Sequence, residues 1–465
     1  MVYLFGFRAN AQSSPCYFLT DTGTIQVEVS NSEIELADGN VYVAGTQGNG
    51  PYGKDDIALL KINPCGKVLW IKYFGDTLAN DGYYINKTHD QKLVLVGQTG
   101  LVNQGSAAIF YKLDTSGAIL IKKTYGDTLS QMAHYVEETS DHGFVFCGYI
   151  SDAFGSNNSY NVKIDSLGNL IWQLVFGGPA LEEADQIHEL WDGNFLITGD
   201  TKSYGHGGVD VEVTKCNRNG QVIWDNYYGD RLNNGCQGIL EVSNGKYLSF
   251  GETEITGNIA FDFFIQFIDT NGVLLSRHTF GGTEADALFS LVEVPGFEFI
   301  CTGYSMSYNG GTDDDIVLFK VDQNGQIKWL KNFFHPGVDI GYKILQSQSG
   351  GYLVTGMYDD NNDNYLLIHS DTIPNTSVGI GSVKAGAPLL SVFPEPVSDF
   401  LNVKVTTGHI RNVTLTDEMG RMLFSDPAIL NKTHLEIDMQ YYSSGFYFLQ
   451  ISTDNGKITR KVIKQ

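Results

Sequence analysis

The chain repeats itself about every 52 residues. Short apolar runs ending in glycine recur as Val41-Tyr42-Val43-Ala44-Gly45, Leu93-Val94-Leu95-Val96-Gly97 and Phe144-Val145-Phe146-Cys147-Gly148. They continue to Gly199, Gly251, Gly303 and Gly356, with successive spacings of 52, 51, 51, 52, 52 and 53. Seven copies of one supersecondary unit result, each needing its neighbours to bury an apolar face.

A second landmark repeats with the first. Asn63-Pro64-Cys65-Gly66, Asp114-Thr115-Ser116-Gly117, Asp165-Ser166-Leu167-Gly168, Asn217-Arg218-Asn219-Gly220, Asp269-Thr270-Asn271-Gly272 and Asp322-Gln323-Asn324-Gly325 share one plan. An Asp or Asn caps the turn and Gly takes the left-handed position that returns the chain. Trp70, Trp172, Trp224 and Trp329 follow four residues after the turn Gly, with Ile121 and Ser276 in copies two and five. Each copy then reads as four strands, the second apolar on both faces and the outer ones alternating.

Four-stranded units repeated radially make a β-propeller, and a closed ring removes the sheet edges that an open stack leaves bare. The seventh copy lacks a fourth strand, whereas Pro15 to Thr22 aligns with fourth strands. The expected architecture is all-β: a seven-bladed propeller over residues 12–371 whose last blade is completed by the N-terminal strand. Asp56-Ile57-Ala58-Leu59-Leu60-Lys61-Ile62 through Phe74-Gly75 resembles the seven-bladed propeller repeats of exported bacterial proteins. That resemblance implies a fold and no single activity.

Composition narrows the setting. Acidic residues outnumber basic ones by 53 to 30, a formal charge of −23 that repels phosphate backbones and argues against a nucleic-acid partner. No apolar run is long enough for a membrane-spanning helix. Residues 1–11 read as the tail of a signal peptide, with Ala9-Asn10-Ala11 as the small-x-small site and the true start lying upstream. The six cysteines form no paired metal signature, and no disulfide pairing follows from their spacing.

After Asp371 the blade pattern stops. Residues 372–388 read as a linker, and residues 389–465 carry eight basic and eight acidic side chains, so the whole excess of negative charge lies upstream. Alternating segments such as Leu401-Asn402-Val403-Lys404-Val405 predict a small immunoglobulin-like β-sandwich. Val392-Phe393-Pro394-Glu395-Pro396-Val397-Ser398, Gly445-Phe446-Tyr447 and the terminal Lys461-Val462-Ile463-Lys464-Gln465 resemble the type A sorting domain of the type IX secretion system. The family usually has Asn where Glu395 stands. The resemblance implies export in a Bacteroidota-type bacterium, through the periplasm to the outer surface or the medium. It makes the outer-membrane secretion machinery a partner of residues 389–465, with Pro394, Pro396, Gly445, Tyr447, Lys461 and Lys464 as the signal. Lys461 and Lys464 would offer a charged strand edge, which equally guards against aggregation.

The sequence holds no HExxH, GxSxG or P-loop. Asp165, Gly168 and Trp172 have the wrong offsets for sialidase boxes, and the seven copies fall short of the eight blades of quinoproteins. No cofactor is expected, apart from a calcium-like run at Asp359, Asn361 and Asp363 that lacks the Gly and Glu of a calcium loop. Two sets are candidates for a binding face. Asn80, Gln131, Glu182, Asn234, Asp286 and Asp339 open the first strands and would ring the channel mouth if those strands are innermost. Tyr52, Tyr160, Tyr204 and Tyr308 belong to polar loops between second and third strands, where Tyr suits protein or glycan recognition. The function expected is a secreted or cell-surface, non-catalytic binding scaffold. A propeller enzyme (hydrolase, lyase or quinoprotein-like) is the alternative, and it requires titratable side chains converging at the channel mouth.

Overall fold

The computed structural model describes residues 18–21, 29–48, 50–102, 105–126, 129–151, 154–255, 260–308, 313–333, 337–348, 350–358, 364–370, 390–393, 397, 399–405, 409–417, 421–426, 432–443, 445–453 and 456–464. The expected signal-peptide remnant, the linker, Pro394, Pro396 and the calcium-like run lie outside them. The chain divides into two compact units, residues 1–378 and 379–465.

The first unit is a seven-bladed propeller. Blades 1 to 6 (residues 29–74, 80–125, 131–176, 182–228, 234–280 and 286–333) are antiparallel meanders of four consecutive strands. Blade 7 takes three strands from residues 339–370 and its fourth from Phe18–Asp21, which pairs with Asn364–Ser370 from Phe18↔His369 to Asp21↔Leu366. The first strands touch one another in succession, and that of blade 7 touches that of blade 1, so they surround the axis.

Closure is also visible in the core. Seven apolar clusters sit one at each junction between blades, and the last joins Val41, Val43, Ala58 and Leu60 of blade 1 to Leu353 and Leu367 of blade 7. Second strands such as Val41–Gly48 are buried along their length because both faces meet a neighbouring blade. Fourth strands such as Ile119–Tyr125 are largely exposed at the rim. Cys147, Cys216, Cys236 and Cys301 are buried free thiols that serve as small apolar side chains, whereas Cys65 is disulfide-bonded.

The recurring turn and tryptophan are one device. Asp165 Oδ1 accepts from the N–H groups of Leu167 and Asn169, both at 2.8 Å, and Gly168 sits at φ +79°. The turn of each blade then receives the outer strand of the blade before it. Trp172 Nε1 donates to Arg218 O at 3.0 Å and Trp224 Nε1 to Thr270 O at 3.2 Å, each packed on the next turn glycine.

A carboxylate staple binds most junctions on the same face of the ring, nearer the axis. Glu189, Glu241, Glu293 and Glu35 end first strands and accept the N–H of Ser140, Trp191, Ser243 and Gln348 in the preceding blade, at 2.5, 2.9, 2.9 and 2.8 Å. Glu138 accepts from His89 N in the same way.

The second unit is a β-sandwich. One sheet orders Leu390–Phe393, Phe400–Val405 and His434–Asp438; the other orders Met422–Asp426, Ile410–Asp417, Gly445–Thr453 and Gly456–Lys464. Leu401, Val403, Leu435 and Ile437 of one sheet and Val413, Leu415, Leu449 and Ile451 of the other form one buried core.

Candidate functional site

Every described first strand of blades 2 to 7 carries a β-bulge at the same place. The pairing register skips Tyr83, His134, Asp185, Gln237, Phe289 and Tyr342. A bulge adds one residue and re-aims its side chain. These six half-buried side chains form a collar about the axis. Tyr83 and His134 lie edge to face at 5.6 Å, and Phe289 and Tyr342 do so at 5.5 Å. The residue after each second-strand glycine extends the collar. Tyr149 packs 5.7 Å from His134, Tyr304 packs 6.0 Å from Phe289, and Tyr342 Oη donates to Met357 Sδ at 3.1 Å.

Blades 4 and 5 make the same collar acidic. Asp185 is surrounded by Asp200, Glu183 and Glu252. Its Oδ2 is sealed from solvent and accepts no hydrogen bond, while Asp200 Oδ1 accepts Cys236 N at 2.7 Å. Desolvation, then the charges of Asp200, Glu183 and Glu252, hold the Asp185 carboxyl well above the usual carboxylate range. Desolvation does the same to Asp200, against the Cys236 bond, with Glu252 and Glu183 adding to it. Burial pushes Glu252 up to about 7, and it lowers His134 despite the nearby Glu183. On blade 2, Asp81 Oδ2 accepts from Gln98 Nε2 at 2.7 Å.

Deeper along the axis a polar chain crosses five blades. Lys343 Nζ donates to Ser32 Oγ (3.0 Å) and Glu33 O (2.9 Å) and lies 4.1 Å from the Tyr84 ring centre. Tyr84 packs on Tyr135 at 4.5 Å, Tyr135 Oη donates to Glu137 Oε2 at 3.0 Å, and His188 Nδ1 lies 2.7 Å from that oxygen. Burial lowers Lys343 to about 8, against the pull of Glu33.

The expected ring of first-strand openers is corrected. Asn80, Gln131, Glu182, Asn234, Asp286 and Asp339 are all at most 2% exposed and turn into the blades. Thr99 Oγ1 donates to Asn80 Oδ1 (2.7 Å) and Thr253 Oγ1 to Asn234 Oδ1 (2.8 Å), while Glu182 Oε2 and Asp286 Oδ2 accept the N–H of Gly178 (2.6 Å) and Gly282 (2.8 Å). Asn80, Glu182, Asn234 and Asp286 thereby tie the incoming loop to the end of the second strand. Side chains alternate along a strand, so the residue one place on, such as Asp81 or Glu183, faces the axis instead.

The tyrosines divide. Tyr52 and Tyr204 are exposed, Tyr204 stacked on Tyr227 at 5.3 Å. Tyr160 belongs to the third strand Asn157–Ile164 and is buried against Phe146, and Tyr308 packs onto the core between blades 5 and 6. Tyr160 is therefore not on a binding face, and Tyr308 is half-buried. Of the expected sorting residues, Tyr447 is buried and donates from Oη to Ser443 O at 2.6 Å, closing the approach to its strand. Gly445 pairs with Lys464 and Phe448 with Lys461, which places both lysines on the last strand, at the end of the sheet order. Lys464 also bridges to Val397.

Residues 391–465 match the family model described as a secretion system C-terminal sorting domain. No curated protein matches the chain. Among solved structures it is similar to PorZ, an essential bacterial surface component of the type-IX secretion system of Porphyromonas gingivalis, at 12% identity over 93% of this chain and 74% of that one (TM-score 0.36). It is similar to the WD40 domain of Neurospora crassa Pan2 at 10% identity over 78% and 98% (0.45), and to a puromycin hydrolase at 10% over 94% and 60% (0.47). At these scores the propeller assignment rests on the ring of sheets itself. The C-terminal unit is a sorting domain of the type IX route, and the chain is exported to the cell surface or the extracellular space. Among the described residues no helix is long and apolar enough to cross a membrane.

Proposed function

We propose that the propeller is a non-catalytic binding scaffold displayed outside the cell, delivered by residues 389–465, and that its ligand engages the axial collar. The observation that carries this reading is the collar's two-sided chemistry. Asp185, Asp200, Glu183 and Glu252 stand across from an arc of Tyr83, His134, Tyr149, Phe289, Tyr304 and Tyr342. A basic group entering beside carboxyls of raised proton affinity would favour their ionised form and pair with it, and the aromatic faces add cation–π attraction. A protein presenting a Lys or Arg is therefore the favoured ligand class, with a glycan as the other. Pull-down of surface proteins and a glycan array, run with the wild-type chain and Asp185→Asn/Asp200→Asn, test it. Capture lost in the variant supports the collar, and equal capture by both removes it. Deletion of residues 389–465 tests delivery: the truncated chain is expected in the periplasm, and normal release into the medium overturns the sorting role.

One observation favours a second reading. Three carboxyl groups with raised proton affinity, Asp185, Asp200 and Glu252, resemble the arrangement of a general acid and base in hydrolases and lyases. Turnover of a polysaccharide or peptide by the wild type, absent in Asp185→Asn, would replace binding with catalysis.

A further inference from the structure

We propose that His89, His142 and Glu138 form a zinc-binding site between the first-to-second-strand turns of blades 2 and 3. Their ligand atoms lie within 4.8 Å of one another. His89 Nδ1 is 3.1 Å from Glu138 Oε2 and His142 Nδ1 is 3.5 Å from Glu138 Oε1. An ion bound tetrahedrally at 2.0–2.1 Å holds neighbouring ligand atoms about 3.3 Å apart, and the two imidazoles, each beside a different Glu138 oxygen, reach that spacing by small rotations of exposed side chains. Two imidazoles and one carboxylate select a borderline metal such as zinc over calcium or magnesium.

Cohesion between blades does not require the imidazoles. Glu138 is the staple carboxylate of this junction, held by His89 N. At the equivalent junctions the second grip is a hydroxyl: Ser140 Oγ donates to Glu189 Oε1 at 2.7 Å, and Ser347 Oγ to Glu35 Oε1 at 3.3 Å. Blade 2 has His89 where blade 3 has Ser140 and blade 5 has Ser243. His142 stands at φ +62°, at the turn position that blades 1, 4 and 5 give to Gly39, Gly193 and Gly245. A left-handed conformation costs about 1–2 kcal/mol for a residue with a Cβ. Here it brings the second imidazole over the carboxylate. The Glu138 side chain is 6% exposed whereas those of His89 and His142 are 58% and 70% exposed. The carboxylate is therefore fixed, and a fourth coordination position opens outward to water or to a ligand from a partner.

The same comparison supplies a variant built to fold. His89→Ser/His142→Gly installs the residues that other blades use, removing both imidazoles while keeping the staple. Zinc is titrated into the full chain against a chromophoric chelator, with thermal melting in parallel. The wild type is expected to bind one more zinc per chain than the variant and to melt higher with zinc. Affinity at this site falls more than about a hundredfold in the variant, beyond the cost of losing an outer partner. Cobalt in place of zinc is expected to give tetrahedral visible absorption in the wild type alone. Equal zinc stoichiometry and affinity in both proteins, or no binding by the wild type, overturns the site. Should the double variant melt cooperatively without zinc at a lower temperature, His142→Gly alone gives the same reading.

Discussion

The backbone N–H of Gln348 donates to Glu35 Oε2 at 2.8 Å, a bond between residues 313 positions apart in the chain. It repeats the bond of Ser140 to Glu189 inside the array, so the seam between the last and first blades is built like the other junctions. Equal construction predicts equal cost. Glu35→Ala and Glu189→Ala each remove the acceptor of a turn N–H that water can reach and are expected to lose about 0.5–1.5 kcal/mol in urea unfolding. A neutral Glu35→Ala beside a costly Glu189→Ala would mean that the ring is not held at its seam.

How much of this was legible follows from what repeats. The turn glycines and tryptophans recur because every junction sets the same steric demand, so period, blade count and the completion of blade 7 are readable without coordinates. The staple was readable too: Glu35, Glu138, Glu189, Glu241 and Glu293 each stand ten residues before a second-strand glycine. The collar was not, because alternation alone does not say which face of a first strand meets the axis: Asp185 shares a face with Glu183, while openers such as Glu182 turn into the blade. The usable signal was contrast. The residue after each constant glycine changes from Gln98 to Tyr149, Asp200, Glu252, Tyr304 and Met357, and such freedom beside a fixed neighbour marks side chains that no junction constrains. His89 and His142 carry no local signal because they come together only across two blades.

Gly272 and Gly245 separate two costs. Both have left-handed φ, +82° and +76°. A Cβ on Gly272 would meet Asn226 Nδ2 at 2.1 Å and the Trp224 ring at 3.1 Å, while one on Gly245 meets nothing within 4 Å. Gly245→Ala is expected to cost only the backbone strain, about 1–2 kcal/mol. Gly272→Ala adds displacement of Asn226, which loses its bond to Gly272 O, and crowding of the tryptophan, and is expected to cost more. Thermal melting of the two variants gives the comparison, and equal losses would show that the Asn226 and Trp224 contacts yield freely.

Lys343 and Glu33 are buried together, and the lysine faces Ser32, Glu33 and Tyr84. Removing one partner of such a pair strands the other. Lys343→Met is expected to lose about 3 kcal/mol, and adding Glu33→Gln is expected to recover part of it. A double-mutant cycle in urea measures the coupling. Strict additivity would show that the two side chains do not sense each other.

Stability is expected to fall as pH rises from about 6.5 to about 7.5. Burial, with smaller contributions from Asp225 and Glu182, raises Glu212 to about 8, and burial raises Glu252 to about 7; the ordinary value of both is 4.5. A carboxyl with a raised folded pKa binds more protons in the native than in the unfolded state, so the native state loses stability as pH climbs through that value. His134, lowered by burial, acts oppositely but only below the ordinary histidine range near 6.5, and Lys343, lowered to about 8, acts oppositely above this window. Asp90 and Asp141, held at about 2, titrate far below this window. Glu212 is 3% exposed and its Oε1 accepts no hydrogen bond, so Glu212→Gln removes the largest of these ionisations. The wild type is expected to melt lower at the alkaline end, and Glu212→Gln to flatten that slope. A wild-type melting temperature that rises across the window would contradict the buried-carboxyl account.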